Sequence, residues 1–453
     1  MTLLQAVSLN MGMMVGVGPF ITIPTFVATL GGPHAMIGWV LGAIVALADG
    51  LVWSELAAAF PGTGGTYHFY DAVYGESRSG RLLKFLFVWQ FLLSGPLELA
   101  SGAIGLSLYA GYLAPGLREA AWTGSIGVPM LGPLGWQVAW SQVFAMGVMI
   151  AITGLAYRRI EVAARLMVVL WAGMLATVAW VIVAGLTHFE PARAFGVPAG
   201  AWTLDQTFVM GLGAAVAIAM YDFLGYYQIC YMADEVGDAS RTIPRAILIS
   251  VLAVASIYLI MNVSILGVIP WRQVITSEHI ATDLMDRLYG PSAAKFLTLM
   301  IVWTALASVF SALLGYSRVP YAAARSGHFF RALARTHPTG GFPHRSLLLM
   351  GALATLACLA SLETVIGALL TARIPIQFVG QIATVFYVRT RPELRGRMRF
   401  RMWLFPVPAL VALIGWLFVF GTSKPLILVY GALSLLVGLV VFAAWDRLRP
   451  AAP

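Results

Sequence analysis

The residues Gly16-Val17-Gly18-Pro19-Phe20 interrupt the first long apolar stretch of this chain, and Tyr221-Asp222-Phe223-Leu224-Gly225-Tyr226 interrupt the sixth. Glycine and proline weaken the hydrogen-bond ladder of a helix, and broken backbone inside a membrane is tolerated only where protein or a water-filled cavity covers it. The two interruptions lie five stretches apart. Because five is odd, a repeat of five helices would enter the membrane upside down. The spacing therefore predicts an inverted repeat with two broken helices around a central site, whereas close helix packing explains either interruption alone.

The composition excludes a soluble fold. Of the 453 residues, 60% are hydrophobic and 10% are charged, whereas soluble proteins carry about 25% charged residues. At roughly 20 apolar residues per crossing, the chain can supply twelve transmembrane helices, which predicts an all-α polytopic membrane protein in a lipid bilayer. The net charge of +9 does not indicate a nucleic-acid partner, because the basic residues lie in connections and not on one soluble face. The predicted crossings are residues 4–29, 34–60, 82–112, 136–156, 164–186, 206–232, 244–269, 292–317, 346–361, 364–388, 402–420 and 425–445.

Lysine and arginine set the expected orientation. Most of the 28 basic residues lie in alternate connections, which the positive-inside bias places in the cytoplasm. Both termini are therefore expected to be cytoplasmic, and the protein to lie in the cytoplasmic membrane. No Lys or Arg precedes Arg78, so the first stretch is expected to be a membrane helix and not a cleaved signal peptide. The predicted organisation is a five-helix repeat in residues 1–187, a second in 205–390, and two additional helices in 391–453.

The two interrupted helices offer complementary chemistry to a solute. Amides freed at Gly16 to Phe20, beside the N-terminus of a half-helix, would attract an anionic group such as a carboxylate. Carbonyls freed in the sixth helix would accept hydrogen bonds from an ammonium group, so a zwitterionic amine fits both ends. Aromatic side chains near the breaks are candidate walls or gates, although ordinary packing explains each of them singly. The predicted substrate-binding residues are Gly16, Gly18, Phe20, Tyr221, Asp222, Gly225 and Tyr226.

Four charged residues fall at or near the middle of predicted crossings: Asp49, Glu98, Asp222 and Arg373. Each would cost at least about 2.5 to 3.5 kcal/mol against lipid, so all four are expected to face the bundle interior. One interpretation is an internal ion-pair network around Arg373. Three carboxylates against one guanidinium nevertheless leave negative charge unpaired, and such groups attract cations or hold protons. Asp49, Glu98 and Arg373 are therefore the candidate proton- or ammonium-coupling residues.

Several motifs together resemble the amino acid, polyamine and organocation (APC) transporters, which have the LeuT-type 5+5 inverted repeat with broken helices 1 and 6. Ala239 stands where this family usually has a proline, which concerns only a local turn. The resemblance covers nearly the whole chain, and the motifs follow the family's order. They are Gly16-Val17-Gly18, Glu55 with Phe60-Pro61 and Gly64-Gly65, Asp234-Glu235-Val236 with Arg241-Thr242-Ile243-Pro244-Arg245-Ala246, the loop Ser317-Arg318 to Pro343-His344, and Arg391-Pro392 with Pro406-Val407-Pro408.

Within this family, the chain is similar to the plant-type polyamine-uptake branch. The similarity lies in Gly18-Pro19-Phe20, in Asp49 six residues before Glu55, and in Glu98 after a Ser-Gly pair. The lysine that many amino acid transporters of the family carry in helix 5 is replaced by Met174. This departure argues against coupling through a lysine and is compatible with either amino acids or polyamines as substrates.

The resemblance and the residues together predict a secondary active transporter, a permease that takes up amino acids or polyamines in symport with protons. Sodium coupling, an amino acid exchanger and a non-transporting solute sensor remain alternatives. An enzyme is not expected, because the seven histidines lie mainly in connections. No cofactor or metal is predicted either, and Cys230 and Cys358 are interpreted as small buried side chains.

Overall fold

A computed structural model describes residues 1–62, 64–128, 132–158, 163–233, 236–338 and 340–448. Asp234 and Glu235, which carry part of one sequence motif, lie outside these residues. Among the described residues, eight helical segments are long and apolar enough to cross a membrane, and a bent helix pair makes a ninth. These segments confirm the predicted all-α polytopic fold.

A helix lies in each of the twelve predicted crossings, and two crossings are divided into two helices. Two of the twelve are short: α15 (His344–Ala357) has 14 residues and α19 (Val407–Gly421) has 15. The helices are α1 (Leu3–Met14) with α2 (Gly18–Leu30), α3 (Ile37–Ala59), α5 (Arg78–Leu113), α6 (Trp140–Arg158), α7 (Ala163–Thr187), α9 (Gln206–Phe223), α10 (Ala239–Leu266), α13 (Pro291–Tyr316), α15 (His344–Ala357), α16 (Leu362–Arg373) with α17 (Gly380–Thr390), α19 (Val407–Gly421) and α20 (Pro425–Leu448).

Short elements connect these helices. The connecting helices are α4 (Thr66–Tyr74), α8 (Pro191–Ala194), α11 (Trp271–Val274), α12 (Ile280–Tyr289), α14 (Arg318–Arg325) and α18 (Pro392–Arg395). The 3₁₀ turns are Pro33–Met36, Pro115–Arg118, Gln228–Tyr231 and Arg331–Ala334. Between α5 and α6 lies an antiparallel hairpin of β1 (Ala120–Val128) and β2 (Gly132–Ala139). The fourth crossing therefore begins at Trp140 and not at 136, because Gly132, Pro133 and Gly135 are poor helix formers.

The first predicted break is present between α1 and α2, whose axes differ by 53°. The amides of Phe20 and Ile21 both bond to the carbonyl of Val17, so α2 starts a new hydrogen-bond ladder. The hydroxyl of Tyr258 on α10 donates to the Met14 carbonyl at 2.7 Å. A side chain of a neighbouring helix thus satisfies a carbonyl at the end of α1, as buried backbone requires.

The second predicted break divides the sixth crossing after Phe223. The chain leaves the helix at Leu224 and resumes as the 3₁₀ turn Gln228–Tyr231. Gly225 has φ = +107°, a left-handed value that favours glycine, and a Cβ atom there would lie 2.5 Å from Met13 on α1. The Asn10 side chain on α1 accepts a hydrogen bond from the Ile229 amide at 2.9 Å. The two broken segments are therefore packed against each other.

A third irregularity was not predicted. A π-helical turn, Ile374–Val379, joins α16 to α17 in the tenth crossing. The hydroxyl of Tyr70 on α4 donates to the Ile376 carbonyl inside this turn. Because π-turns leave carbonyls without their usual partners, a side chain from another element helps to hold this one. The turn begins directly after Arg373.

Glycines let α3 approach its neighbours closely. A Cβ at Gly42 would lie 2.6 Å from Cβ of Ala219 on α9, and a Cβ at Gly50 would lie 2.6 Å from Ile247 on α10. Small residues at helix crossings allow the close backbone approach that drives packing in membranes. This packing buries the middle of α3, including Asp49, against α9, α10 and α19.

Candidate functional site

A cavity lies where the α1–α2 break meets α5, α9 and α13. Its volume is about 60 Å³, several times the roughly 10 to 15 Å³ that one water molecule needs. Its lining contains two carboxylates and no Lys, Arg or His among the described residues. The lining residues are Met13, Met14, Gly16, Val17, Gly18, Glu98, Leu99, Ser101, Gly102, Tyr221, Asp222, Leu224, Ser308, Val309 and Ala312.

Asp222 is the central polar group of this cavity. Its Oδ2 accepts a hydrogen bond of 2.6 Å from the Thr22 hydroxyl on α2, whereas its buried Oδ1 has no hydrogen-bond partner in the described part of the chain. Gly18 lies one helical turn from Thr22, and a Cβ at Gly18 would lie only 2.4 Å from Oδ1. The carboxylate thus packs against the first turn of α2, where any residue larger than glycine would displace its Oδ1.

Glu98 also lines the cavity, but its charge is balanced. Its Oε2 lies 2.7 Å from Nη2 of Arg373, whose side chain is 1% exposed. Nε of Arg373 donates to the Ser94 hydroxyl at 3.0 Å, and Nη1 donates to the Tyr227 hydroxyl at 3.4 Å. Of the two interpretations of the buried charges, an ion pair therefore describes Glu98 and Arg373.

Asp49 lies outside the cavity and is fully buried. Its Oδ2 accepts a hydrogen bond of 2.5 Å from the hydroxyl of Tyr226, in the break after α9. The indole groups of Trp53 and Trp416 lie beside the same carboxyl. Tyr226 is therefore the partner of Asp49, and the described cavity lining does not include it.

The structure brings together some of the predicted binding residues and separates others. Gly16, Gly18, Tyr221 and Asp222 line the cavity together with Glu98. Phe20 lies behind the break, where Tyr109 packs edge-on against its ring and donates to its carbonyl at 2.9 Å. Four further predicted residues are also not among the described lining residues of the cavity: Gly225, Tyr226, Asp49 and Arg373. The binding role of each residue stays a prediction.

Two polar cavity residues were not singled out in the sequence. The Tyr221 hydroxyl donates to Ser101 Oγ at 2.7 Å, and Ser101 Oγ donates to the Glu98 carbonyl at 2.7 Å. Ser101 lies one helical turn after Glu98, a spacing that could have indicated it. Ser308 on α13 would lie 3.1 Å from a Cβ at Gly16. No local signal marks Ser308, because only the packing of α13 against the first break places it there.

A second, larger cavity of about 140 Å³ lies among α2, α9, α16, α19 and α20. Thr22, Thr25 and Thr29 of α2 line it, and an exposed ion pair between Lys424 and Glu363, 2.6 Å apart, lies in its wall. Thr22 therefore faces this cavity while it bonds to Asp222 of the first one. The Thr22–Asp222 hydrogen bond lies between the two cavities.

A charged cluster at the other end of α5 surrounds Lys84, whose side chain is fully buried. Its Nζ lies 2.6 Å from Asp71 Oδ1, 2.9 Å from Glu76 Oε1 and 3.0 Å from His328 Nε2. The hydrogen bond from Lys84 lowers the pKa of Glu76 to about 2, and burial lowers the pKa of His328. Asp71, Glu76 and His328 are close enough to hold a metal ion, but the Lys84 ammonium already bonds to all three.

Comparison with known proteins agrees with this architecture. The sequence pattern of the amino acid permease family matches residues 1–443. The serine/threonine exchanger SteT of Bacillus subtilis is 25% identical, over 96% of this chain and 94% of its own. The human Asc-type amino acid transporter 1 is 27% identical, over 97% of this chain and 81% of its own. An uncharacterized transporter of Mycobacterium tuberculosis is 29% identical over 81% of this chain and 75% of its own. With its broken helices around a buried cavity, the chain belongs to the amino acid permease family of the APC transporter superfamily.

Proposed function

We propose that this protein is a secondary active transporter that takes up a small amine, an amino acid or a polyamine, across the cytoplasmic membrane in symport with protons. The observation that carries the proposal is the Asp222 carboxylate, which is 3% exposed and has one oxygen without a partner in the described structure. A buried carboxylate that lines a cavity favours a cationic ligand, because an unpaired buried charge is costly. An ammonium group supplies the missing charge and the missing hydrogen bond.

The charge of the cavity bears on the choice between the two substrate classes. Arg373 balances Glu98, so Asp222 leaves the lining with a net negative charge. A polyamine carries only cationic groups and suits this charge. An amino acid would place its ammonium at Asp222 and its carboxylate near the N-terminus of α2, which attracts anions. The names of the serine/threonine and Asc-type relatives support this second arrangement.

The two cavities are consistent with alternating access, in which the substrate site opens to one side of the membrane at a time. The Thr22–Asp222 bond lies between the outer-facing threonines of α2 and the central cavity. An ammonium that binds the free Oδ1 leaves this bond to Oδ2 in place, so Thr22 holds the carboxylate towards the substrate. Substrate entry and the opening of the barrier would then share one side chain, with proton binding at Asp49 or Glu98 as the driving step.

Transport by purified protein in liposomes tests the proposal. An inward proton gradient is imposed, and the accumulation of labelled spermidine is compared with that of a mixture of labelled neutral amino acids. The variant Asp222→Asn should lose accumulation. Asp205→Asn is the matched control on the same helix, because Asp205 caps the exposed start of α9 and asparagine caps as well as aspartate.

Each result of this assay indicates a different substrate class or transport mode. Spermidine accumulation supports the polyamine reading of the acidic cavity, and accumulation of amino acids alone supports the arrangement with both ends of the amine bound. Exchange of preloaded substrate without net uptake would indicate an exchanger, which the name of the SteT relative favours. Saturable binding without any flux would indicate a sensor and would contradict the proposal.

The proposed orientation has both termini in the cytoplasm. It rests on the basic residues of alternate connections, such as Arg241 and Arg245 at the start of α10 and Arg318 and Arg325 of α14. Labelling of single cysteines introduced at Arg241 and at Lys424 with a membrane-impermeant reagent checks it in intact cells. Reaction at Lys424 and protection at Arg241 are expected, and the reverse pattern would contradict the orientation.

A further inference from the structure

Asp49 is a buried acid that the central cavity does not use. It lies on α3, is 0% exposed, and accepts a 2.5 Å hydrogen bond from Tyr226. The indole nitrogens of Trp53 and Trp416 face the same carboxyl, but neither they nor Oδ1 make a hydrogen bond of normal geometry among the residues that the structure describes. Buried polar atoms that lack a good hydrogen bond require an explanation, and one such explanation is a functional role.

The groups that face Asp49 come from each element packed on α3. The segment after α9 contributes the hydroxyl of Tyr226, with Tyr227 and Cys230 behind it. α19 contributes the indole of Trp416, and α10 contributes apolar side chains such as Ile247 against Gly50. These neighbours are neutral, and they include donors but no cation.

Two guanidinium groups inside the bundle are paired with other acids. Arg373 pairs with Glu98 at 2.7 Å. Arg389 on α17 makes two 2.6 Å hydrogen bonds to Glu55, which lies on α3 six residues beyond Asp49. Six residues along a helix correspond to about 9 Å. Among the described residues Asp49 makes no ion pair, whereas Glu55 and Glu98 have one each.

We infer that Asp49 is the residue that binds the coupled proton, and that Glu98 is not. The inference rests on the proposed function and names the proton site within it. A carboxylate without a countercharge in a buried site is expensive, and binding a proton removes that charge. Glu98 gains nothing comparable from a proton, because protonation would leave the Arg373 guanidinium as the uncompensated buried charge.

The hydrogen bond from Tyr226 links this proton site to the substrate cavity. Tyr226 and Gly225 belong to the same break in which Leu224 lines the cavity, and Asp222 lies just before it. A hydrogen bond to an ionised acceptor is roughly twice as strong as one between neutral groups. Proton binding therefore loosens the attachment of the break to α3, and proton release tightens it. The proton and the amine act on the same segment from opposite sides.

The test separates coupling from transport itself. Wild-type protein, Asp49→Asn and Glu98→Gln are reconstituted in liposomes with the membrane potential clamped at zero, and two assays are run. The first is accumulation driven by an inward gradient of one pH unit, which for one proton per substrate has a limit of about tenfold. The second is exchange of labelled for unlabelled substrate at equal pH on both sides.

We expect Asp49→Asn to retain exchange within about twofold while its accumulation falls from about tenfold to about onefold. Glu98→Gln should still respond to the gradient in proportion to its remaining exchange rate. The variant Tyr226→Phe removes only the hydroxyl, and it should move the midpoint of the pH dependence of exchange towards higher pH. If Asp49→Asn does not fold, Tyr226→Phe still tests the role of Asp49 through this shift.

Accumulation by Asp49→Asn at the wild-type level would overturn the inference while leaving the proposed transporter intact. The same holds if Tyr226→Phe leaves the pH profile of exchange unchanged. If the wild type exchanges substrate but ignores the gradient, proton coupling itself is wrong. If the wild type shows neither exchange nor accumulation with any amine, the proposed function fails, and this outcome is distinct from all the others.

Discussion

The contact between Gly18 and Asp222 makes a sharp prediction for the variant Gly18→Ala. The added Cβ would lie 2.4 Å from Asp222 Oδ1 and 3.5 Å from its Cγ. Because ordinary contacts begin near 3.4 Å, the carboxylate must move by about 1 Å. Its Oδ2 is held by Thr22 at 2.6 Å, so a movement of this size breaks that hydrogen bond.

The cost follows from the type of bond that is lost. A hydrogen bond to a charged group is worth about 1.5 to 3 kcal/mol, and each 1.4 kcal/mol is about tenfold in affinity. If the Thr22 bond holds the carboxylate towards the substrate, Gly18→Ala should weaken the apparent affinity for the amine by about 10- to 100-fold. Thr22→Val, which removes the same bond without a clash, should do so to a similar extent.

Initial rates of uptake over a range of substrate concentrations measure this effect. The control is Gly147→Ala in α6, where a Cβ would meet nothing within 4 Å and alanine favours the helix. The double variant Gly18→Ala/Thr22→Val should lose less than the sum of the single variants, because both remove one interaction. Normal affinity of a correctly folded Gly18→Ala protein would refute this account of the site. Additive losses would refute the shared bond.

The remaining predictions concern stability. Arg373→Met leaves Glu98 buried without its cation, so the free energy of unfolding should fall by about 3 to 5 kcal/mol. Adding Glu98→Gln should restore part of this loss. If the double variant melts at the same lowered temperature as Arg373→Met, the pairing is contradicted. Glu76 has a folded pKa of about 2, below its ordinary 4.5, so its contribution is present above pH 4.5 and declines towards pH 2. His328 also has a lowered pKa, so its contribution is present above its ordinary 6.5 and is lost as the pH falls below that value. Melting temperatures between pH 8 and pH 4 should therefore fall with acidification, and less steeply in His328→Gln; equal slopes would argue against the cluster. Gly42→Val should lower the melting temperature through overpacking worth about 1 to 3 kcal/mol, and an unchanged value would show that α3 and α9 can separate.

Local chemistry accounts for the features that could be predicted. Glycine and proline act on their own backbone, so both breaks, at Gly16 to Phe20 and at Gly225, followed from residue type. The hydrophobic stretches placed the described helices to within a few residues, and eight or nine of these helices are long and apolar enough to cross a membrane. The π-helical turn Ile374–Val379 was not predicted, although Pro375 inside it is a local signal for an irregular helix. Its Ile376 carbonyl also accepts a hydrogen bond from Tyr70, which is remote in the chain.

The aromatic residues near the breaks show where prediction from residue type ends. Phe20 and Tyr226 are predicted to lie beside the substrate, and that role stays a prediction; in the structure Phe20 packs on Tyr109 and Tyr226 bonds to Asp49. An aromatic ring at a break can turn to either side of the segment, and the sequence does not encode the side. Ser308 lines the cavity although no local sequence signal marks it, because the packing of α13 places it there.

The buried charges show most clearly which features are predictable from the sequence and which require the structure. Residue type and position were enough to predict that Asp49, Glu98, Asp222 and Arg373 lie inside the bundle, because charged groups are too costly to face lipid. The pairing of Arg373 with Glu98, and the hydrogen bond from Tyr226 to Asp49, follow from how the helices pack. The physical reason is that an ion pair requires contact within about 4 Å. Such contact between α5 and α16 depends on how the two helices pack and not on where they lie in the chain.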